Sequence, residues 1–301
     1  MNNIDVSYQQ EFSSNLLIAG QQVAARLLQT VTIDKMASAV KYFERLAPFA
    51  PPKQKTGRFQ DLEMQDPNYS RRIVVPQDWD LPTYVDTSDR LRLAIDPSSA
   101  QMKALMASFN RQFDQTIISA AVGVSQGYAQ AGQALQNYNP LGGNTIAVNY
   151  VETGAAANAN MTVGKLKKAR QLLESSEQIA EGEILNVIYN SSNKMALLRD
   201  QQVTNIFYSN QKPLVTGTLY DDFLGMRFIR SELLPVNGNN VTALVYPNSA
   251  IGFCWLKEFA GRIDERTDKK FMPIQLYGSA SWGVTRLWEE KVIQILCDQT
   301  L

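Results

Sequence analysis

An α+β fold is expected from the order in which three patterns occur along the chain. A helical opening is followed by a charged, proline-punctuated stretch that reads as short strands, and this leads into a long amphipathic helix. Strand and helix then alternate through the second half, closed by a strand pair. On this reading residues 1–50 form an arm, 51–96 an extended loop, and 97–180 a region built on the long helix. Residues 181–256 make a mixed α/β region, and 257–301 a charged loop with the C-terminal strands.

Each element has its own signal. From Ser14 to Leu46 the apolar Leu16, Leu17, Val23, Leu27 and Leu28 are spaced by glutamines, which predicts an amphipathic helix. LAPFAPPKQKTG cannot continue it, because Pro48, Pro51 and Pro52 fall close together. Next come FQDLEMQ, RRIVVPQ and RLRLAI, separated by the turn clusters DPN, PQD and DTSD. IVVP and LRLAI read as two paired strands, and Pro76 suits a free edge. A two-stranded ribbon is marginal alone in water, so it must lie against something else.

Asp96 is the expected N-cap and Pro97 the first residue of the long helix. Met102, Leu105, Met106, Phe109, Phe113, Ile117 and Ala120 form its apolar stripe, over roughly 35 to 40 Å. Such a stripe is core, not a cofactor box. The Gly- and Ala-rich stretch from Val124 to Ala159 reads as a helix tail, loop and short strand, and its LGGN lacks the Lys and Ser/Thr of a phosphate loop. Thr162 then caps VGKLKKARQLLESSEQ, GEILNVIYN is a buried strand, and Ser192 starts another helix. GMRFIRSE and TALVYP are strands, and NSAIGFCWLKEFA is read as helical. After the loop GRIDERTDKK, two long strands meet near Trp282 and Gly283.

Composition narrows the chemistry. The 301 residues are 45% hydrophobic and 19% charged, an ordered globular chain with 29 basic and 29 acidic residues. That balance gives no long-range attraction for nucleic acid. There is no histidine. The usual general base near neutral pH, His-activated nucleophiles and imidazole metal ligands are removed together. Cys254 and Cys297 each sit in an apolar run and are expected as buried free thiols. The opening MNNIDVSYQQEF lacks the basic start of a signal peptide, and no apolar run reaches the roughly 18 residues of a membrane span. A reducing, cytosolic setting is expected, in which the sequons at 68, 160, 190 and 240 carry no meaning.

A few residues are candidates for chemistry. Asp221 and Asp222 are adjacent acids without the spacing of a calcium loop, so a turn is expected there. Glu289 and Glu290 precede a strand, and a glycosidase would need two carboxylates across a cleft that the sequence does not show. Lys165, Lys167, Lys168 and Arg170 could form a basic helix patch, but Tyr138, Tyr150 and Trp79 are not interleaved with it. No catalytic residue, metal or cofactor is assigned.

The stretch from 51 to 97 holds basic residues at 53, 55, 58, 71, 72, 90 and 92, and acids at 61, 63, 66, 78, 80, 86, 89 and 96. Together with the helical arm, the long helix and the α/β region closed by C-terminal strands, it resembles the major capsid proteins of tailed bacteriophages, the Hong Kong 97-like fold. The local match is RRIVVPQDWDLPTYVDTSDRLRLAIDPSSAQMKALMASFNRQFDQTIISAAVG. Its pattern positions are Arg71, Arg72, Asp86, Asp89, Arg92, Asp96, Pro97, Arg111 and Asp114. KLKKARQLLESSEQ, EILNVIYN, NKMALLRDQQV and LYDDFLGMRFIRSELLP come after it in the family's order. The resemblance covers roughly residues 50 to 300.

It implies a peripheral domain holding the long spine helix, with Asp96, Pro97, Arg111 and Asp114 on it, and an axial domain over 181–256. The C-terminal strands would return to the peripheral domain. The extended loop would lie over a neighbouring copy, so Arg71, Arg72, Asp78, Asp80, Asp86, Asp89, Arg90 and Arg92 would make inter-subunit contacts. Alternating sign there gives register more than affinity. The implied function is a non-enzymatic major capsid protein, forming pentamers and hexamers of an icosahedral shell around double-stranded DNA. Implied partners are other copies of the chain, a separate scaffolding protein, a portal at one vertex and the packaged DNA through weak non-specific contact, with a decoration protein left open. Assembly would take place in the host bacterial cytoplasm. The alternatives are an encapsulin-like nanocompartment shell, a histidine-free hydrolase and a DNA-binding accessory protein.

Overall fold

A computed structural model describes residues 22–54, 56–57, 64–86, 98–129, 134–152, 154–177, 179–180, 182–200, 203, 223–270 and 272–300. In chain order its strands are β1 (Thr32–Lys35), β2 (Lys41–Leu46), β3 (Tyr69–Val74), β4 (Gln77–Val85), β5 (Ser125–Tyr128), β6 (Gln136–Tyr138) and β7 (Thr145–Ile146). The second half adds β8 (Leu185–Tyr189), β9 (Met226–Arg230), β10 (Val236–Asn237), β11 (Asn240–Pro247), β12 (Ile251–Glu265), β13 (Ile274–Arg286) and β14 (Ile293–Asp298). The helices are α1 (Ser98–Val122), α2 (Val163–Ser175) and α3 (Ser191–Arg199). The chain divides into two compact units. The smaller takes 77–112 and 257–281 with the described part of 1–25, and the larger takes 26–76, 113–256 and 282–301.

The larger unit is organised on a sheet of order β7-β14-β11-β8-β9, with β10 also pairing β11. Every residue of LNVIY in β8 is buried, as are seven of the eight in β11, so these strands carry no two-residue alternation. Leu166, Ala169 and Leu173 of α2 join Val187, Ala243, Val245, Ile293 and Ile295 in its apolar core. The expected cap on α2 is present, with the Thr162 hydroxyl accepting from the Lys165 amide. Asn190 caps α3 by accepting from Asn193 N at 2.9 Å. Cys254 and Cys297 are free and fully buried.

A second sheet of the larger unit, order β2-β3-β5-β6, differs from expectation. The partner of β3 is β2, with Phe43 opposite Arg72 and Leu46 opposite Tyr69, and LRLAI at 91–95 lies outside the described residues. The strand pair β2–β3, called the ribbon below, therefore includes 41–46, ahead of the expected loop. Residues 22–46 are not helical beyond a short 3₁₀ turn at 28–30, because the β-branched run Val31-Thr32-Ile33 and the alternating KYFERL favour strands. Residues 14–21 lie outside the description. Gly127 is required here by close approach, since a side chain would overlap the Arg71 carbonyl of the neighbouring strand.

Residues 251–265 also overturn the helix expected from NSAIGFCWLKEFA. They form the strand β12, whose first four residues are all buried and so lack a readable period. β1 runs parallel to its start, Thr32 opposite Gly252 and Lys35 opposite Trp255. β13 passes straight through Trp282 and Gly283, and β14 belongs to the other sheet, so the two C-terminal strands are not a hairpin.

The long helix is present. Its buried line is Leu105, Phe109, Phe113, Ile117 and Ala121, at strict four-residue steps, while Met106 is exposed. In the larger unit Phe113 meets Trp282, Trp255 and Phe253 edge to face, with centroids 4.7, 5.1 and 6.2 Å away. In the smaller unit Phe109 meets Phe259 at 5.0 Å, and Gly278 leaves the room that Leu105 and Phe109 fill. Among the described residues no helix is long and apolar enough to cross a membrane.

Candidate functional site

The root of the ribbon holds a buried charge cluster that sequence reading does not assemble. Glu289, 5% exposed, lies in the turn between β13 and β14. Its carboxylate accepts from Arg72 Nε at 2.9 Å and Arg72 Nη2 at 2.8 Å, a fork that fixes both planes. It also accepts from Arg45 Nη1 at 2.8 Å and Ser125 Oγ at 3.2 Å. Three adjacent strands, β2, β3 and β5, thus converge on one side chain. Arg45 continues to Glu290 at 3.2 Å.

Rings hold both guanidinium groups from the side. Arg45 lies over Trp288 at 4.0 Å, and Arg72 over Tyr138 at 3.4 Å. The backbone under the acids is pinned as well, because Asn144 Nδ2 donates to the Glu289 and Glu290 carbonyls at 3.3 and 2.8 Å. Fully buried Arg286 reaches the end of α1, donating to Ala121 O at 3.0 Å and Gly123 O at 2.7 Å, and to Tyr138 O at 2.7 Å. A cation at a helix C-terminus satisfies its last carbonyls and complements the helix dipole. Burial works to raise the Glu289 pKa, but the hydrogen bonds and charge of Arg72, with the charge of Arg45, hold it below the ordinary carboxylate value.

The opposite face of the ribbon sheet is open. Tyr42, Leu46 and Tyr69 are each nearly half exposed, and the Glu44–Arg71 ion pair at 2.9 Å lies among them. Tyr128 joins them with its ring 6.4 Å from Tyr42. Tyrosines and an arginine on a flat sheet are the composition of a protein interface more than of a solvated surface.

The expected contact residues separate on this geometry. Arg71 is on the open face. Arg72 is not available to a neighbour, being 2% exposed and taken up by Glu289 within its own chain. Asp78 accepts from Ser281 Oγ in the smaller unit, and Asp80 borders a cavity of about 150 Å³ with Trp79, Leu81 and Ser108. Asp86 is exposed after β4, whereas Asp89, Arg90, Arg92, Asp96 and Pro97 lie outside the described residues. Arg111 and Asp114 are on α1. Asp114 is buried and accepts from the backbone N–H groups of Arg26 and Leu27 at 3.0 Å each, which turns the arm into its 3₁₀ turn.

The basic patch that these residues could have formed on α2 is not there. Lys165 is fully buried, donating to Val148 O, Ala159 O and Leu296 O at 3.0, 2.7 and 2.9 Å, and burial lowers its pKa. Lys167 pairs with Glu152 and Arg170 with Glu174. Asp221 and Asp222 lie outside the described residues. Glu289 and Glu290, candidates for cleft carboxylates by sequence, are partnered by arginines instead. Among the described residues no cluster of three Cys, Asp or Glu could hold a metal.

A family model described as phage capsid protein matches residues 4–299. The chain belongs to the phage capsid protein family. Solved structures similar to it include the capsid of cyanophage P-SCSP1u, 15% identical with 98% of this chain and 94% of that one covered, at a TM-score of 0.76. The capsid of Helicobacter pylori bacteriophage KHP30 is 10% identical, with 99% and 98% covered and a TM-score of 0.74. A Mycobacterium phage Che8 structure is 14% identical, with 100% and 99% covered and a TM-score of 0.69. No curated protein matches. At such identities the structures establish the fold, which is that of the Hong Kong 97-like capsid proteins. The capsid protein is thus a major capsid protein, a structural subunit that associates with its own copies in the virion shell, and neither the nanocompartment nor the hydrolase reading is favoured.

Proposed function

We propose that this capsid protein forms pentamers and hexamers of an icosahedral shell around double-stranded DNA, with a purely structural role. Family membership together with the open ribbon face of Tyr42, Leu46, Tyr69, Tyr128, Glu44 and Arg71 carries the reading. That face is rich in residues that anchor interfaces, and its paired charges give register between copies. Arg71, Asp78, Asp80, Asp86, Asp89, Arg90 and Arg92 are the proposed inter-subunit contacts, with the ribbon now starting at 41. The proposed division into a peripheral domain on α1 and an axial domain over 181–256 is supported by the packing of Gly278 against Leu105 and Phe109, which returns the C-terminal segment to the long helix.

Assembly proceeds in the host cytoplasm with a separate scaffolding protein and a portal at one vertex. A wall of zero net charge holds DNA only through weak non-specific contacts. Sedimentation and negative-stain electron microscopy of the expressed chain, alone and with its candidate scaffold, test this. Closed shells or five- and six-fold rings are expected. A monomer of 33.7 kDa under both conditions would overturn it.

A further inference from the structure

Burying charges at the ribbon root is a poor route to stability, because apolar residues of the same volume serve as well or better. What the arrangement supplies is direction. Arg45 and Arg72 come from neighbouring strands held in register by the β2–β3 ladder. Each guanidinium is fixed by a ring on its face and by Glu289 at its edge. Ser125 ties in the next strand, and Asn144 keeps the acceptor's backbone from moving. Gly127 lets β3 and β5 approach closely enough for all three strands to reach one carboxylate.

We propose that Glu289 is a positioning residue for shell assembly: through Arg45, Arg72 and Ser125 it fixes the direction of the β2–β3 ribbon, so that the open face carrying Tyr42, Tyr69 and the Glu44–Arg71 pair meets a second copy in one orientation. This rests on the shell-forming function proposed above. Arg45 and Arg72 are the sequence neighbours of Glu44 and Arg71, which pair on the other face, so a rotation of either anchored residue passes directly to the open face. The apolar core of α2, β8, β11 and β14 shares no member of this cluster, so the two can be separated by experiment.

The test uses the full chain as Glu289→Gln, and as Arg72→Gln with Glu289→Gln, which leaves no orphan charge between them. Hydrogen exchange is followed residue by residue, and particles formed under wild-type assembly conditions are measured by electron microscopy. Exchange in 41–46 and 69–74 is expected to rise at least about ten-fold, while 185–189 and 240–247 stay protected. Shells of wild-type diameter are expected to fall by about ten-fold, with irregular rings or sheets in their place, and Arg72→Lys, which keeps the charge without the fork, should fall between. Wild-type shells at wild-type yield from the double variant, or unchanged ribbon exchange, would overturn the proposal. Protection lost across the whole chain in the double variant would overturn it too, by making the cluster a requirement of folding. If the unaltered chain forms no shells with or without scaffold, it is the shell function that fails, and the ribbon exchange still decides whether Glu289 holds the ribbon.

Discussion

The two sheets of the larger unit are held by different balances of the same means. The sheet β7-β14-β11-β8-β9 is sealed by apolar side chains that have no preferred partner, whereas the ribbon sheet β2-β3-β5-β6 adds, on the face where Phe43 and Val74 join a small apolar cluster, four hydrogen bonds to a single carboxylate. Burial is non-directional and tolerates adjustment, while forked arginine bonds fix angles. A sheet that must keep one face open cannot use burial on both sides. The ribbon sheet therefore combines an open face with a polar anchor behind it, and the closed sheet is buried along its central strands β8 and β11.

Breaking each mode separately sharpens the contrast. Arg72→Ala leaves Glu289 buried with half its donors and should lower unfolding stability by about 3–5 kcal/mol, read from urea titration. A loss under about 1 kcal/mol would show that the cluster is dispensable. Leu166→Ala on α2, in the core that seals the closed sheet, should cost about 3 kcal/mol through a cavity, without raising amide exchange in the ribbon. Ribbon exchange rising in step would mean that the two sheets are not independent.

Acid should act on the ribbon root through Glu289. Because the folded pKa of Glu289 is depressed, its contribution is complete above the unfolded value, near 4.5, and is lost as pH falls through the lower folded value. Wild type and Glu289→Gln should therefore show the same pH dependence of urea midpoint between pH 7 and 5, and wild type should fall more steeply below 4.5. Parallel curves down to pH 2.5 would contradict the assignment. The smallest effect is expected at the open face: Glu44→Ala breaks an exposed ion pair and should change subunit stability by less than about 1 kcal/mol. Its yield of shells, measured by sedimentation, should nonetheless drop if that face is an interface.

Legibility in the sequence divides along the same line. The long helix, the Thr162 cap, β8, β9 and β11 are legible because their signals are local: periodicity, a capping residue, a β-branched run. β12 reads wrongly as a helix since Gly252, Phe253 and Cys254 are buried on both sides of the strand, leaving neither a two-residue nor a 3.6-residue period. Leu27 and Leu28 fit a helical period with Val23, yet the chain makes only a 3₁₀ turn there. The ribbon root is invisible for a more basic cause: Arg72 and Glu289 are 217 positions apart, and no local pattern marks a charge as internal. The doublet Glu289-Glu290 beside Trp288 stands out in the sequence, yet only as candidate chemistry.

The two thiols have a consequence for the particle as a whole. Burial pushes Cys254 and Cys297 up to about 11, so at neutral pH only about one thiol in ten thousand is ionised, and neither reaches solvent. A shell repeats each property of its subunit many times over, and accessible thiols in such numbers would turn it into a polyvalent reagent. With both sealed, neither thiol is open to exchange, so copies in the wall do not join through disulfides whatever the redox poise around them.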